Sequence, residues 1–178
     1  SSGMGRATAL ALATAGCRVV AAARQEKALL ELAADASAAG GEVVARRVDI
    51  SRTREVEELV AFAIEHLGRV DVLVNSVGTN TPLRLLQDLT DEEWYRVIDT
   101  NLNGAYRLTR AILPQMRRQK DGLIIHIGSV SGRWPDFSGI AYQATKHGLV
   151  GLAHATMREE RSNGVRVSVI FPGVCDTP

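Results

Sequence analysis

The chain has 178 residues, 46% of them hydrophobic and 23% charged, with 21 basic and 20 acidic side chains for a formal net charge of +1. That length suits one sizeable core and is short for two domains, and so even a charge balance leaves no electrostatic footprint for nucleic acid or an acidic membrane. No apolar run approaches the length of a membrane span.

Strand-like and helix-like segments alternate along the chain. The Ala/Leu-rich stretch 6–15 predicts a helix that stops at Gly16, and R-V-V-A-A-A, 18–23, predicts a short strand. Residues 26–39 read as a helix ended by Gly40-Gly41, followed by a strand over 42–48. Ser51 is placed to cap a helix over 53–67, whose apolar Val56, Leu59, Val60, Ala63, Ile64 and Leu67 recur at helical spacing before Gly68. D-V-L-V, 71–74, reads as a buried strand. Thr90 with Glu93 fits a capping box opening a long helical region to about Gln119, with Gly104 and Pro114 as weak points. G-L-I-I-H-I, 122–127, is another buried strand, a helix follows over about 138–161, and V-R-V-S-V-I-F, 165–171, is the last strand, ended by Pro172-Gly173.

Continuous apolar strands alternating with helices imply a parallel sheet covered on both faces. The expectation is α/β, a Rossmann-type doubly wound parallel sheet forming a single domain over 1–178, with ligands at the carboxyl ends of the strands. Arg24, Asp49, Asn75, Ser129 and Pro172-Gly173 all fall just after strands. The chain opens S-S-G-M-G directly into a helix and closes on Pro178 with no following element. It therefore reads as part of a longer protein, lacking its first strand and its C-terminal part.

Three stretches carry candidate chemistry. Glycines before a helix let the backbone approach a phosphate, and free amides at the helix start favour an anion; the same Gly-x-Gly also serves as a plain turn. The strand 18–23 ends Ala23-Arg24, where a guanidinium can pair with a phosphate that a carboxylate would repel. In A-Y-Q-A-T-K-H, 141–147, Tyr142 and Lys146 stand four apart on one helix face, so the cation can lower the phenol's pKa toward that of a useful proton donor. Without a carbonyl nearby, the same pair is only a core-edge Tyr and a solvated Lys. Cys17 and Cys175 match no metal spacing and read as reduced small hydrophobes of an intracellular protein. His66, His126, His147 and His154 do not cluster as ligands, and no metal is expected.

In this order the pieces resemble the short-chain dehydrogenase/reductase family along essentially the whole chain. S-G-M-G resembles the tail of the family's T-G-x-x-x-G-x-G loop, and N-S-V-G, 75–78, resembles its N-N-A-G with Ser76 and Val77 as departures. Asp49 in V-D-I resembles the aspartate at the adenine, and P-G-V-C-D-T, 172–177, resembles the P-G-x-x-x-T segment at the nicotinamide. Asn101 in T-N-L-N-G, Ser129 in I-G-S-V-S-G, and Tyr142 with Lys146 match the catalytic tetrad in order and spacing.

The resemblance implies an oxidoreductase interconverting a ketone or aldehyde and an alcohol, with Tyr142 as proton donor, Ser129 holding the carbonyl oxygen, and Lys146 and Asn101 resupplying the proton through water. It implies cofactor contacts from Ser2, Gly3, Met4, Arg24, Asp49, Ile50, Asn75, Ser76, Val77, Tyr142, Lys146, Pro172, Gly173, Val174 and Thr177. Arg24 in place of an acid favours NADP over NAD. A small-molecule carbonyl or alcohol substrate, walled by residues 79–86 and 132–138, a homodimer or homotetramer through helices 91–119 and 138–161, and a cytoplasmic location complete the expectation. Two alternatives stand beside it: a non-catalytic nucleotide-binding protein of the same fold, and an NAD-dependent alcohol dehydrogenase of the same family.

Overall fold

The structure, a computed structural model, describes residues 3–175. These fall into two compact units, residues 3–70 with Cys175 and residues 71–174. Ser2 and Thr177 lie outside the described residues.

The first unit runs α1 (Gly3–Thr14), β1 (Arg18–Ala23), α2 (Glu26–Ala38), β2 (Glu42–Arg47) and α3 (Thr53–Leu67). β1 and β2 pair in parallel from Arg18↔Glu42 to Ala23↔Arg47. Ala9 and Ala13 of α1, Leu32 and Ala36 of α2 and Val43 of β2 form its core. The small alanines let helices and strands approach closely, so burial here comes from proximity more than from bulk. Ser51 does not cap α3: its N–H and hydroxyl both bond Asp49 Oδ1, at 3.0 and 2.8 Å, and Arg52 takes the cap position without a side-chain bond. A carboxylate two residues back is a nearer and stronger acceptor than the helix amides are donors.

The second unit runs β3 (Val72–Asn75), α4 (Asp91–Ile98), α5 (Gly104–Gln119), β4 (Gly122–Ile127), α6 (Ile140–Glu160) and β5 (Val165–Ile170). Its sheet is parallel in the order β3-β4-β5. Val97, Leu108, Ile112, Met116 and Leu149 from its helices and Ile124, Val165 and Val167 from its strands are buried in its interior. Thr90 caps α4 by accepting from the Glu93 N–H at 3.3 Å, while the Glu93 carboxylate turns to Arg96.

The expected long helix divides near Gly104. A π-helical turn over Asp99–Asn103 separates α4 from α5, whereas Pro114 sits inside an unbroken α5. α6 begins two residues later than expected, because Gly139 adopts φ 98° and the Ser138 N–H is held by Asp136 Oδ1 at 2.8 Å. No helix among the described residues is long and apolar enough to cross a membrane. Cys17 and Cys175 are both exposed.

Candidate active site

In the first unit, the expected nucleotide-binding residues stand at one helix start and two strand ends. α1 begins at Gly3 with no acidic residue in its first turn, so its free amides and positive dipole end face no carboxylate of their own first turn. Arg24 is exposed immediately after β1. Asp49 follows β2, and Ile50 beside it is buried. Burial pushes the Asp49 carboxyl up, but the two Ser51 hydrogen bonds and the charges of Arg24 and Arg52 outweigh it and hold the group below the usual range.

In the second unit, the strand ends gather around Lys146. This lysine is only 4% exposed, and its Nζ donates to the Ile127 carbonyl at 2.9 Å. Burial brings its pKa down to about 8. A Cβ on Gly78 would lie 3.4 Å from that Nζ, so the Asn75–Gly78 loop borders the ammonium. Asn75 is buried at the end of β3, where its Nδ2 donates to His126 Nδ1 at 3.3 Å and its Oδ1 accepts from the Val77 N–H at 3.3 Å. Ser76 and Val77 are half-buried beyond it. After β5, the Pro172 carbonyl accepts from the Val130 N–H at 3.0 Å, tying this segment to the turn that carries Ser129. Gly173 and Val174 follow, exposed.

Tyr142 lies one helical turn before Lys146, with the lysine Nζ 5.4 Å from the centre of its ring. The ammonium thus addresses the ring face and the Ile127 carbonyl. The expected lowering of the phenol pKa is not what the structure gives. Burial pushes the Tyr142 phenol above its ordinary value, Asp136's charge adds to the rise, and a hydrogen bond with Ser129 works against it. The phenol is therefore protonated at neutral pH.

Ser129 follows β4 in extended conformation and opens a 3-10 turn, Val130–Gly132, by accepting from the Ser131 N–H at 3.2 Å. Asn101 sits in the π turn, 3% exposed. Its carboxamide accepts from the Thr79 N–H at 2.8 Å and donates to the Thr79 carbonyl at 2.8 Å and to Thr145 Oγ1 at 3.2 Å. Those three bonds clamp the loop after β3 to α6 through protein partners. Arg96 pins the same loop through Thr79 Oγ1 and the Asn80 carbonyl, at 3.0 and 2.9 Å.

Beside these residues, a cavity of about 470 Å³ is lined by Arg84, Leu85 and Leu86 on one side and by Asp136, Phe137 and Gln143 on the other. Both stretches expected to wall a substrate contribute to it, and none of Asn101, Ser129, Tyr142 and Lys146 does. Reading the sequence alone gave no role at the site to His126, Thr145 and Ser131, and gave Asp136 only a place in a substrate wall. Only the repeated serines around Ser129 and the acid five residues beyond Ser131 could have signalled the last two.

The model of the short chain dehydrogenase family matches residues 1–178. The chain is 36% identical over 178 residues to the 3-oxoacyl-[acyl-carrier-protein] reductase of Synechocystis sp., covering 99% of this chain and 72% of that protein. It is 37% identical to a metagenomic short-chain oxidoreductase solved in complex with NADP, with a TM-score of 0.91 over 97% of this chain and 78% of that one. It is 36% identical to an actinorhodin polyketide ketoreductase solved with NADPH, with a TM-score of 0.95 over 99% of this chain and 68% of that one. The parallel strands, helical crossovers and strand-end residues are thus those of a Rossmann-type fold, and the chain belongs to the short chain dehydrogenase family of oxidoreductases.

Proposed function

We propose that this protein reduces a ketone to an alcohol with NADPH, and that the substrate is a 3-oxoacyl thioester or a related β-keto compound. The observation that carries the reading is the convergence of Ser129, Tyr142 and Lys146 at the carboxyl ends of parallel strands, with a protonated phenol beside a buried lysine. The names of the relatives support the substrate class.

The residues present fit NADP. The amino end of α1 and the exposed Arg24 suit the phosphates, where an acid after β1 would have repelled the extra one. Asp49 and Ile50 suit the adenine. An ammonium has three donors, and Lys146 places one on the Ile127 carbonyl, which suits the others to ribose hydroxyls. Asn75, Ser76 and Val77 follow β3, and Pro172, Gly173 and Val174 follow β5, at the carboxyl end of the β3-β4-β5 sheet. When bound, the nicotinamide supplies the hydride.

The protein's part is to hold and move the proton. Ser129 and Tyr142 hydrogen-bond the carbonyl oxygen and stabilise the charge that develops there. Tyr142 gives up its proton to that oxygen. Lys146, with a pKa of about 8, can return a proton near neutrality. Asn101 keeps the surrounding loop and α6 in register through Thr79 and Thr145. Tyr95, Tyr106 and Met157 leave apolar surface exposed on α4, α5 and α6, which supports a homo-oligomer through those helices.

The test is NADPH consumption by the full-length protein over a panel containing a 3-oxoacyl thioester, simple ketones and aldehydes. Turnover highest on the thioester is expected. NADP binding without turnover of any carbonyl would instead establish a nucleotide-binding protein.

A further inference from the structure

The turn carrying Ser129 holds a second hydroxyl and a carboxylate that the reaction above does not use. Ser131 is 3% exposed, with its Oγ 3.1 Å from Ser129 Oγ. Its hydroxyl donates in turn to Asp136 Oδ2. The other carboxylate oxygen accepts from the Ser138 N–H at 2.8 Å. Asp136's own backbone is held by Gln143, whose Nε2 donates to the Asp136 carbonyl at 2.9 Å and whose Oε1 accepts from the Asp136 N–H at 3.4 Å. Gln143 is the neighbour of Tyr142 in α6, so the carboxylate is fixed relative to the phenol.

The donor count gives this chain a direction. An ionised carboxylate only accepts, so Ser131 must point its single proton at Asp136. The Ser131 oxygen then accepts from Ser129; with only one proton, the Ser129 hydroxyl has to turn from that oxygen to reach a carbonyl, while the Ser131 N–H still holds the Ser129 oxygen in place. One lone pair of Ser129 Oγ takes the Ser131 N–H at 3.2 Å, and the other is left for the Tyr142 side. A serine that served only to close a turn would need the Ser131 N–H and nothing beyond it.

We propose that Asp136, acting through Ser131, is a positioning residue that fixes the Ser129 hydroxyl against Tyr142 for carbonyl reduction. The role rests on the reading of Ser129 and Tyr142 given above. The charge has a second effect, because a carboxylate near the phenol opposes its ionisation. The charged groups involved are few. Tyr142 faces Asp136 and, over its ring, Lys146; Asp136 faces Arg84; His126 near Lys146 is neutral.

The experiment compares wild type, Asp136→Asn, Asp136→Glu, Ser131→Ala and Tyr142→Phe in NADPH-dependent reduction, with kcat, KM for NADPH, the pH profile of kcat and Tm measured for each. Asp136→Asn and Ser131→Ala are expected to lower kcat about tenfold, the loss of one charge-assisted hydrogen bond, with KM for NADPH unchanged. Asp136→Glu should recover part of the loss. Asp136→Asn should also move the phenol's step of the alkaline limb, which lies above the Lys146 step near pH 8, to lower pH, since the phenol then ionises more readily. Ser131→Ala, which keeps the charge, should move it less.

Wild-type kcat in both variants would overturn the positioning role. So would a lowered kcat that only tracks Tm while the alkaline limb stays in place. Wild-type reduction that Tyr142→Phe abolishes, together with an unaffected Asp136→Asn, overturns this role alone. A wild type that reduces no carbonyl overturns both this role and the reading beneath it.

Discussion

Replacing Gly132 by alanine should separate Ser129 from its partners. Gly132 ends the turn that begins after Ser129, and a Cβ there would stand 2.8 Å from the Lys146 carbonyl oxygen and 3.0 Å from its carbon. Both are backbone atoms of α6 and cannot rotate away. Ordinary contact begins at 3.4 Å, so turn and helix must part by about 0.6 Å. Overpacking of this kind costs about 1–3 kcal/mol, or roughly 2–12 °C in Tm for a chain of this size. The same displacement moves Ser129 relative to Tyr142. A misplacement of about 1 Å can cost a hundredfold in rate, so about a tenfold loss of kcat is expected here. Thermal unfolding and NADPH-dependent turnover measure the two effects on one preparation. Wild-type Tm and wild-type kcat together would show that the turn does not abut α6 as described.

Two further outcomes follow from other parts of the molecule. The double change Ala23→Asp with Arg24→Ala should shift the ratio of kcat/KM from NADPH toward NADH by one to two factors of ten, the worth of one charge-assisted hydrogen bond, with kcat little altered; a wild-type ratio favouring NADH would show that Arg24 serves only solvent. His126 is fully buried and accepts from Asn75, and burial first, then the Lys146 charge, brings its pKa down to about 4 from 6.5. As pH falls below 6.5 the unfolded chain takes up this proton before the folded one, so stability is lost progressively between about pH 6.5 and 4, by about 3 kcal/mol at most. Urea unfolding of wild type and His126→Leu across that window should show a larger loss in the first than in the second, in which only the carboxylates with lowered pKa, such as Glu93 and Glu160, still contribute. Parallel curves would refute the neutral, buried ring.

Elements whose signal is local were legible in the sequence. β1 over 18–23, α3 over 53–67 and β4 over 122–127 match their expected spans, because apolar runs and helical spacing set them and Gly68 stops α3. The misreadings are places where one polar group had two partners to choose from. Ser51 prefers Asp49 to the helix amides, and Ser138 is drawn to Asp136 rather than opening α6. The π turn at Asp99–Asn103 left no mark in the pattern beyond the suspicion at Gly104.

At the site, the residue identities came from motif order, whereas their electrostatics depend on side-chain direction. Spacing put Lys146 beside Tyr142, but the ammonium turns to the Ile127 carbonyl and the ring face, leaving burial to dominate the phenol. The Ser129–Ser131–Asp136 chain crosses a turn without periodicity, so nothing in the spacing announced it.

The most direct measurement is NADPH oxidation with a 3-oxoacyl thioester by wild type and by Tyr142→Phe, each at saturating cofactor, with NADPH affinity measured separately. With Tyr142 as proton donor, turnover should fall about 10²–10⁴-fold, while NADPH affinity stays within a few-fold because the ring still packs. Turnover close to wild type in Tyr142→Phe would contradict Tyr142 as the proton donor.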